Sequence, residues 1–300
     1  MTTWRDLLDH AERSLTDAGT DSPEAESRWI IEEASGFDTG ELLVHGSEPA
    51  PQVAVARVGA MLERRAAGEP LQYVLGSWSF RGLDLLVDPR VLIPRPETET
   101  TAEHAIDEVQ RLGERRGPAD PWAGSATAYA VADLGTGTGA LALALAAELP
   151  DAEVWATDVS EDALVVARAN LAGAGLPAAR VRVARGEWFD ALPDALRGKL
   201  RLVVSNPPYV SEEEGARLPS EVADYEPPGA LVPGKLGTEA LDELLAGARA
   251  WLAPGGVLVL ELAPHQADAM SARARELGYD DVLVRNDLAG RARVLVGRTG

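Results

Sequence analysis

The chain has 300 residues, 28 Lys+Arg against 48 Asp+Glu, and a formal net charge of −20. That balance argues against a surface built to hold DNA or RNA, whose affinity rests on cations displacing counterions from phosphates. An apolar fraction of 46% and a charged fraction of 25% exclude whole-chain disorder, while the absence of cysteine excludes disulfides, thiolate zinc sites and a cysteine nucleophile.

The opening MTTWRDLLDHAERSL carries acids and no apolar run of signal-peptide length, and no uncharged stretch of 18 residues follows, so a cytoplasmic, membrane-free protein is expected. Across residues 2–68 the apolar positions recur at helical spacing (Trp4, Leu7, Leu8, Ala11, Leu15, then Trp29, Ile30, Ala34, then Val55, Val58, Met61, Leu62), broken at residues 19–23, 35–38 and 46–51. A small helical bundle is expected there. Composition changes at Pro70, and two extended-looking runs, residues 71–80 and 83–87 around Arg81-Gly82, predict a linking hairpin. The expected division is residues 1–69, a linker over 70–94, and residues 95–300. A helix is expected to run to about Arg116, followed by a surface loop over residues 117–125.

From there strand-like runs (residues 129–134, 153–157, 180–184, 200–205, 256–262) alternate with helical ones (140–149, 160–174, 238–252, 265–277). The strands are nearly continuously apolar, as in a parallel sheet covered on both faces, so a doubly wound, Rossmann-like α/β domain is predicted. Residues 281–285 and 291–297 read as a closing antiparallel pair. The four histidines, His10, His45, His104 and His265, form no ligand-spaced pair, and no metal site is expected.

The first of these strands ends in Asp133-Leu134-Gly135-Thr136-Gly137-Thr138-Gly139. Alternate glycines let the backbone turn tightly into a helix and approach a nucleoside-bearing ligand, although Gly135, Gly137 and Ala140 also satisfy the looser dinucleotide pattern. Asp158 closes the second strand 19 positions after Gly139 and is placed to accept both ribose hydroxyls; it would also serve as a helix N-cap. Asp133 suits a cofactor carrying an amine or sulfonium better than a pyrophosphate, which favours S-adenosylmethionine over NAD.

The fourth strand ends in Asn206-Pro207-Pro208-Tyr209. Consecutive prolines fix the exit of the chain, and the Asn206 side-chain oxygen and Pro207 carbonyl are then suited to accept the two hydrogens of a planar NH2 group stacked on Tyr209. Such a nitrogen is a poor nucleophile, and holding both hydrogens aims it at an activated methyl. No general base is required, in keeping with the lack of a histidine or carboxylate dyad.

Together these residues resemble the class I S-adenosylmethionine-dependent methyltransferases that modify NH2 nitrogens, among them DNA adenine-N6 and protein glutamine-N5 enzymes. Residues 64–70 with Tyr73 and Gly76, then Leu92-Ile93-Pro94-Arg95-Pro96-Glu97-Thr98-Glu99, then Glu187-Trp188-Phe189, resemble the HemK family of glutamine-N5 methyltransferases across nearly the whole chain. The resemblance implies a seven-stranded methyltransferase domain, a helical N-terminal domain for substrate recognition, and methylation of the glutamine in the Gly-Gly-Gln tip of bacterial class I peptide chain release factors, with S-adenosylhomocysteine as product. It places Asp133, Gly135, Thr136, Gly137, Thr138, Gly139, Asp158, Trp188 and Asn206 at the cofactor, Trp188 beside its adenine. Asn206, Pro207 and Tyr209 would be catalytic, gripping the glutamine together with Pro208. Arg95, Glu97, Thr98 and Glu99 would border the methionine end, or form a capping and ion-pair cluster. Residues 211–235, containing the family-like Glu226-Pro227 and Ala230-Leu231, are expected to be a lid that orders when the release factor docks. The family departs from this chain at Ala263-Pro264 and around Arg291-Ala292-Arg293. An adenine-N6 nucleic-acid methyltransferase shares the nitrogen geometry and is the alternative, disfavoured by the charge.

Overall fold

The computed structural model describes residues 1–114 and 129–300; the loop expected over residues 117–125 lies outside them. The chain divides into two compact units, Met1–Ser77 with Pro219–Tyr225, and Trp78–Leu218 with Glu226–Gly300.

In the first unit α1 (Trp4–Ala18) starts at a reciprocal capping box between Thr3 and Asp6, and α2 (Pro23–Ser35) carries proline in its first turn, where a missing N–H costs nothing. They are followed by α3 (Thr39–His45) and α4 (Gln52–Ala66). Trp4, Leu7, Ala11 and Leu15 meet Ile30, Ile31, Val58, Met61 and Leu62 in one core, so the helical spacing becomes a buried stripe. Residues 71–75 are not extended as the sequence suggests. They form a short helix, α5 (Leu71–Leu75), because Leu71 and Val74 bury in that same core and Gly76, at φ 81°, caps the turn in the left-handed region. Inside the unit Arg65 Nε donates to Glu26 Oε2 at 2.7 Å with both side chains 9% exposed, and Glu221 approaches Arg65 at 3.3 Å. The Tyr225 hydroxyl donates to the Ala67 carbonyl at 3.1 Å.

A hairpin follows, β1 (Ser77–Phe80) and β2 (Leu83–Leu86). Its two-residue turn has φ 47° at Arg81 and 75° at Gly82, the sense that matches strand twist. Arg81 tolerates that backbone because its N–H donates to Glu99 and its guanidinium to Glu148, at 2.9 and 2.7 Å.

The second unit is built from α6 (Pro96–Glu114), β3 (Tyr129–Leu134), α7 (Ala140–Glu148), β4 (Ala152–Asp158), α8 (Glu161–Gly173), β5 (Val181–Arg185), β6 (Leu200–Ser205), α9 (Glu212–Gly215), α11 (Glu239–Ala248), β7 (Leu252–Glu261), α12 (Ala267–Glu276), β8 (Asp281–Asn286) and β9 (Ala292–Arg298), with α10 (Ser220–Ala223) lying in the segment that belongs to the first unit. The seven-stranded sheet has the order β5-β4-β3-β6-β7-β9-β8, with β9 antiparallel to β7 and to β8 and the rest parallel. Successive residues of β3 alternate between two cores: Val131 joins α6 and α7, whereas Ala130 and Ala132 join α11 and α12. Burial on both faces is why these strands read as unbroken apolar runs. The chain winds outward in opposite directions from β3 and β6, so their carboxyl ends flank the switch point where ligands bind in such sheets.

Candidate active site

Beyond those strand ends lies a cavity of about 550 Å³, the size of a small-molecule site. Gly135, Gly137, Asp158, Trp188, Asn206 and Pro208 line it, so the glycine loop, the second-strand acid and the fourth-strand motif meet although they lie far apart in sequence. Gly135 has φ 74°, and a Cβ there would stand 3.3 Å from the Trp188 indole. Gly137 has φ 53° and a Cβ there would meet no protein atom within 4 Å, leaving an open cradle. Gly139 differs, because a Cβ there would touch Ala167 of α8 at 3.5 Å, so it serves loop-to-helix packing.

Thr136 and Thr138 turn inward. Thr136 Oγ1 donates to Asp133 Oδ2 at 2.6 Å, while Thr138 Oγ1 accepts the Ala140 N–H at 3.3 Å and its carbonyl accepts Asn170 Nδ2 at 2.8 Å. Both are buried, so their side chains shape the loop from behind. Asp158 is not an N-cap; Ser160 caps α8, accepting the Ala163 N–H. Asp158 Oδ2 instead accepts the Gly137 N–H and Oδ1 the Ser160 N–H, each at 2.9 Å, which ties the glycine loop to the second strand and leaves lone pairs for a diol. Burial pushes its carboxyl up, opposed by those backbone donors.

Asp133 is fully buried. Its Oδ2 accepts from Thr136 and from the Ala142 N–H at 3.0 Å, while Oδ1 has no hydrogen-bond partner among the described residues. Burial pushes its pKa up to about 7 against those hydrogen bonds, with the nearby Asp158 charge adding to the rise. A carboxylate with an orphaned oxygen below a ligand loop is matched by a cation. The walls agree: Asp158, Glu187, Glu239 and Glu243 supply four carboxylates against one guanidinium, Arg90, which is itself paired with Asp88 at 2.5 Å. A pyrophosphate would be repelled here, and these walls suit a ligand that carries positive charge.

Trp188 holds a rare positive φ of 42°, and its indole N–H donates to Glu243 Oε2 at 3.1 Å. Strained non-glycine backbone of this kind persists where the surroundings over-determine it. Pro207 is buried and Tyr209 half-buried, packed against the α11/α12 core. The Tyr209 hydroxyl donates to Glu261 Oε1 at 3.3 Å, and burial together with the Glu261 charge pushes the phenol far up, so it stays protonated. Asn206 Nδ2 donates to Thr98 Oγ1 at 3.1 Å, which leaves Oδ1 as the free acceptor.

Of the segment at the start of α6, Arg95 pairs with Glu226, Glu97 with Arg291 at 2.9 Å, and Glu99 accepts the Arg81 N–H; these three form ion-pair and capping contacts, and only Thr98 reaches the motif. Residues 211–235 are not a structureless lid. Ser211 and Glu214 form a capping box, and Val210 and Glu212 donate to the carbonyls of Leu231 and Gly234. Pro227, Gly229 and Ala230 complete the cavity wall. Sequence reading missed Gln266, whose Nε2 clamps the carbonyls of Tyr209 and Gly237 at 2.9 and 3.0 Å from the turn before α12, and Glu261, whose place at the end of β7 is the one signal that could have flagged it. Among the described residues no cluster of potential metal ligands occurs, and no helix is long and apolar enough to cross a membrane.

Residues 6–76 match the family model of the PrmC N-terminal domain and residues 124–220 that of the methyltransferase small domain. The solved structure of a methyltransferase from Pyrococcus furiosus aligns with a TM-score of 0.50 over 82% of this chain and 98% of its own, at 21% identity, a likeness of fold. The release factor glutamine methyltransferase of Bordetella pertussis is 38% identical over 99% of both chains. That of Deinococcus radiodurans is 40% identical over 98% of both. With identity at this level spread over both units, the chain belongs to the release factor glutamine methyltransferase family.

Proposed function

We propose that this protein transfers a methyl group from S-adenosylmethionine to the side-chain amide nitrogen of the glutamine in the Gly-Gly-Gln tip of bacterial class I release factors. The observation that carries this reading is the Asn206 carboxamide, whose nitrogen is engaged by Thr98 and whose oxygen is left to accept at the edge of the cavity that Asp158, Gly137 and Trp188 also line. When bound, S-adenosylmethionine supplies a methyl already activated on a sulfonium, so the chain has to position rather than activate. Asp158 receives the ribose hydroxyls, Trp188 the adenine face, and the acidic walls with Asp133 the cationic end. Asn206 Oδ1 and the Pro207 carbonyl accept the two amide hydrogens of the substrate, Pro208 borders the approach, and the Tyr209 ring packs on the amide plane. Fixing both hydrogens would orient the nitrogen lone pair for attack, an effect of about 7 kcal/mol or more in well-aligned reactions. We further propose residues 1–69 as the recognition domain, residues 70–94 as its linker and residues 95–300 as the methyltransferase domain.

The test is methyl transfer to purified release factor, read by mass spectrometry of the tip peptide. Wild-type protein is expected to add one methyl to the glutamine, to add none when that glutamine is changed to asparagine, and to lose on the order of 100-fold or more in rate on Asn206→Ala. A methylated adenine in nucleic acid with an unmodified release factor would overturn the reading in favour of the alternative.

A further inference from the structure

We propose that Glu261 and Thr98 are positioning residues that fix which end of the Asn206 carboxamide faces the substrate nitrogen, an inference that rests on reading Asn206 as the acceptor for a substrate amide. An asparagine carboxamide is nearly symmetric in shape and opposite in polarity at its two ends. For an NH2 substrate only the orientation with Oδ1 presented is productive; the reverse sets donors against donors. The choice is made behind the side chain. Nδ2 donates to Thr98 Oγ1 at 3.1 Å, and Thr98 is 4% exposed. The Thr98 hydroxyl also interacts with the Glu261 carboxyl group, favouring its charged form, and Glu261 lies 1% exposed at the end of β7. Its carboxyl oxygens also accept the Thr101 hydroxyl at 3.0 Å and the Tyr209 hydroxyl at 3.3 Å. A Thr98 proton turned toward that carboxylate leaves a lone pair for Asn206, which matches the donation seen from Nδ2.

The arrangement follows from topology. Ser205 of β6 pairs with Leu260 of β7, so Asn206 and Glu261 leave neighbouring strand ends side by side. One buried carboxylate therefore polarises the Asn206 amide through Thr98 and holds the Tyr209 hydroxyl directly. Arg293, which donates to the Leu262 carbonyl at 3.2 Å, balances its charge, and burial pushes the Glu261 carboxyl up against the pull of these partners.

The variant Glu261→Gln keeps the volume but can donate to Thr98, freeing the hydroxyl to turn toward Asn206 Oδ1; Thr98→Val removes the hydroxyl, and Thr98→Ser keeps it. In protein carrying isotope-labelled asparagine, the Asn206 side-chain NH2 signals, assigned by their loss in Asn206→Ala, are expected to shift and to lose protection from solvent exchange in Glu261→Gln and Thr98→Val and to be preserved in Thr98→Ser. Methyl transfer should follow, with kcat lowered on the order of 100-fold, KM for the protein substrate and the melting temperature little changed, and most of kcat restored in Thr98→Ser. Unchanged NH2 signals and unchanged kcat in both disruptive variants would overturn the proposal. A folded wild-type protein that methylates no release factor would instead overturn the proposed function, while the NH2 signals still decide the orientation of the carboxamide.

Discussion

Asp133 sits where a carboxyl is least comfortable without a cation: buried, close to Asp158, with one oxygen unpartnered. Its pKa is raised from the ordinary 3.8 to about 7, so the unliganded fold binds its proton more tightly than the unfolded chain does. The stability this proton provides is complete below pH 3.8 and is lost as pH rises through about 7. Three pKa units correspond to about 4 kcal/mol. Without ligand, Asp133→Asn should therefore melt above the wild type at pH 8 and close to it at pH 4, measured by scanning calorimetry. The same proton opposes a cationic ligand. Affinity for S-adenosylhomocysteine, which keeps the ammonium, should rise as pH passes about 7 in the wild type and stay flat in Asp133→Asn, read by titration calorimetry. Residue identity at Asp133 was visible in the sequence as a preference for a cation. Its protonation was not, because burial by α7 and the inward turn of Thr136 are tertiary facts.

At the scale of elements, the strands were legible where burial is two-sided: β3 and β6 begin and end where their apolar runs do. The short helix α5 was misread because Tyr73 and Val74 are β-prone, and packing of Leu71 and Val74 in the helical core outweighed local preference. The site was legible as three motifs but not as their supports. Thr98 meets Asn206 across 108 positions of sequence, and no periodicity marks such a contact. The same holds for Asn170 on α8, whose carboxamide accepts the Leu86 N–H and donates to the carbonyls of Leu86 and Thr138, joining the hairpin to the glycine loop. Asn170→Ala leaves buried backbone groups unsatisfied and should cost about 1–3 kcal/mol, checked by urea unfolding. In the helical unit, Glu26→Ala removes the buried partner of Arg65 and leaves the guanidinium only Glu221 and the Glu69 carbonyl, so it should cost about 3 kcal/mol by the same measurement, more than replacing both residues with apolar ones of similar size.

At the scale of the whole molecule, the charge of −20 and the acidic cavity act together. Both favour a cationic cofactor and disfavour polyanions, so duplex and single-stranded DNA should show no salt-dependent retention in gel-shift experiments even at low ionic strength. The chain crosses between its two units three times, at Ser77/Trp78, Leu218/Pro219 and Tyr225/Glu226. A helical unit joined by a single linker could be excised, exchanged or fused at will. Here the segment that leaves the Asn206–Tyr209 motif supplies Glu221 to Arg65 and Tyr225 to the Ala67 carbonyl before it returns to form the cavity wall at Pro227. The helical unit is consequently threaded rather than appended: a chimaera that borrows another one must bring along a matching stretch from beyond β6, so that the partners of Arg65 and of the Ala67 carbonyl travel with them.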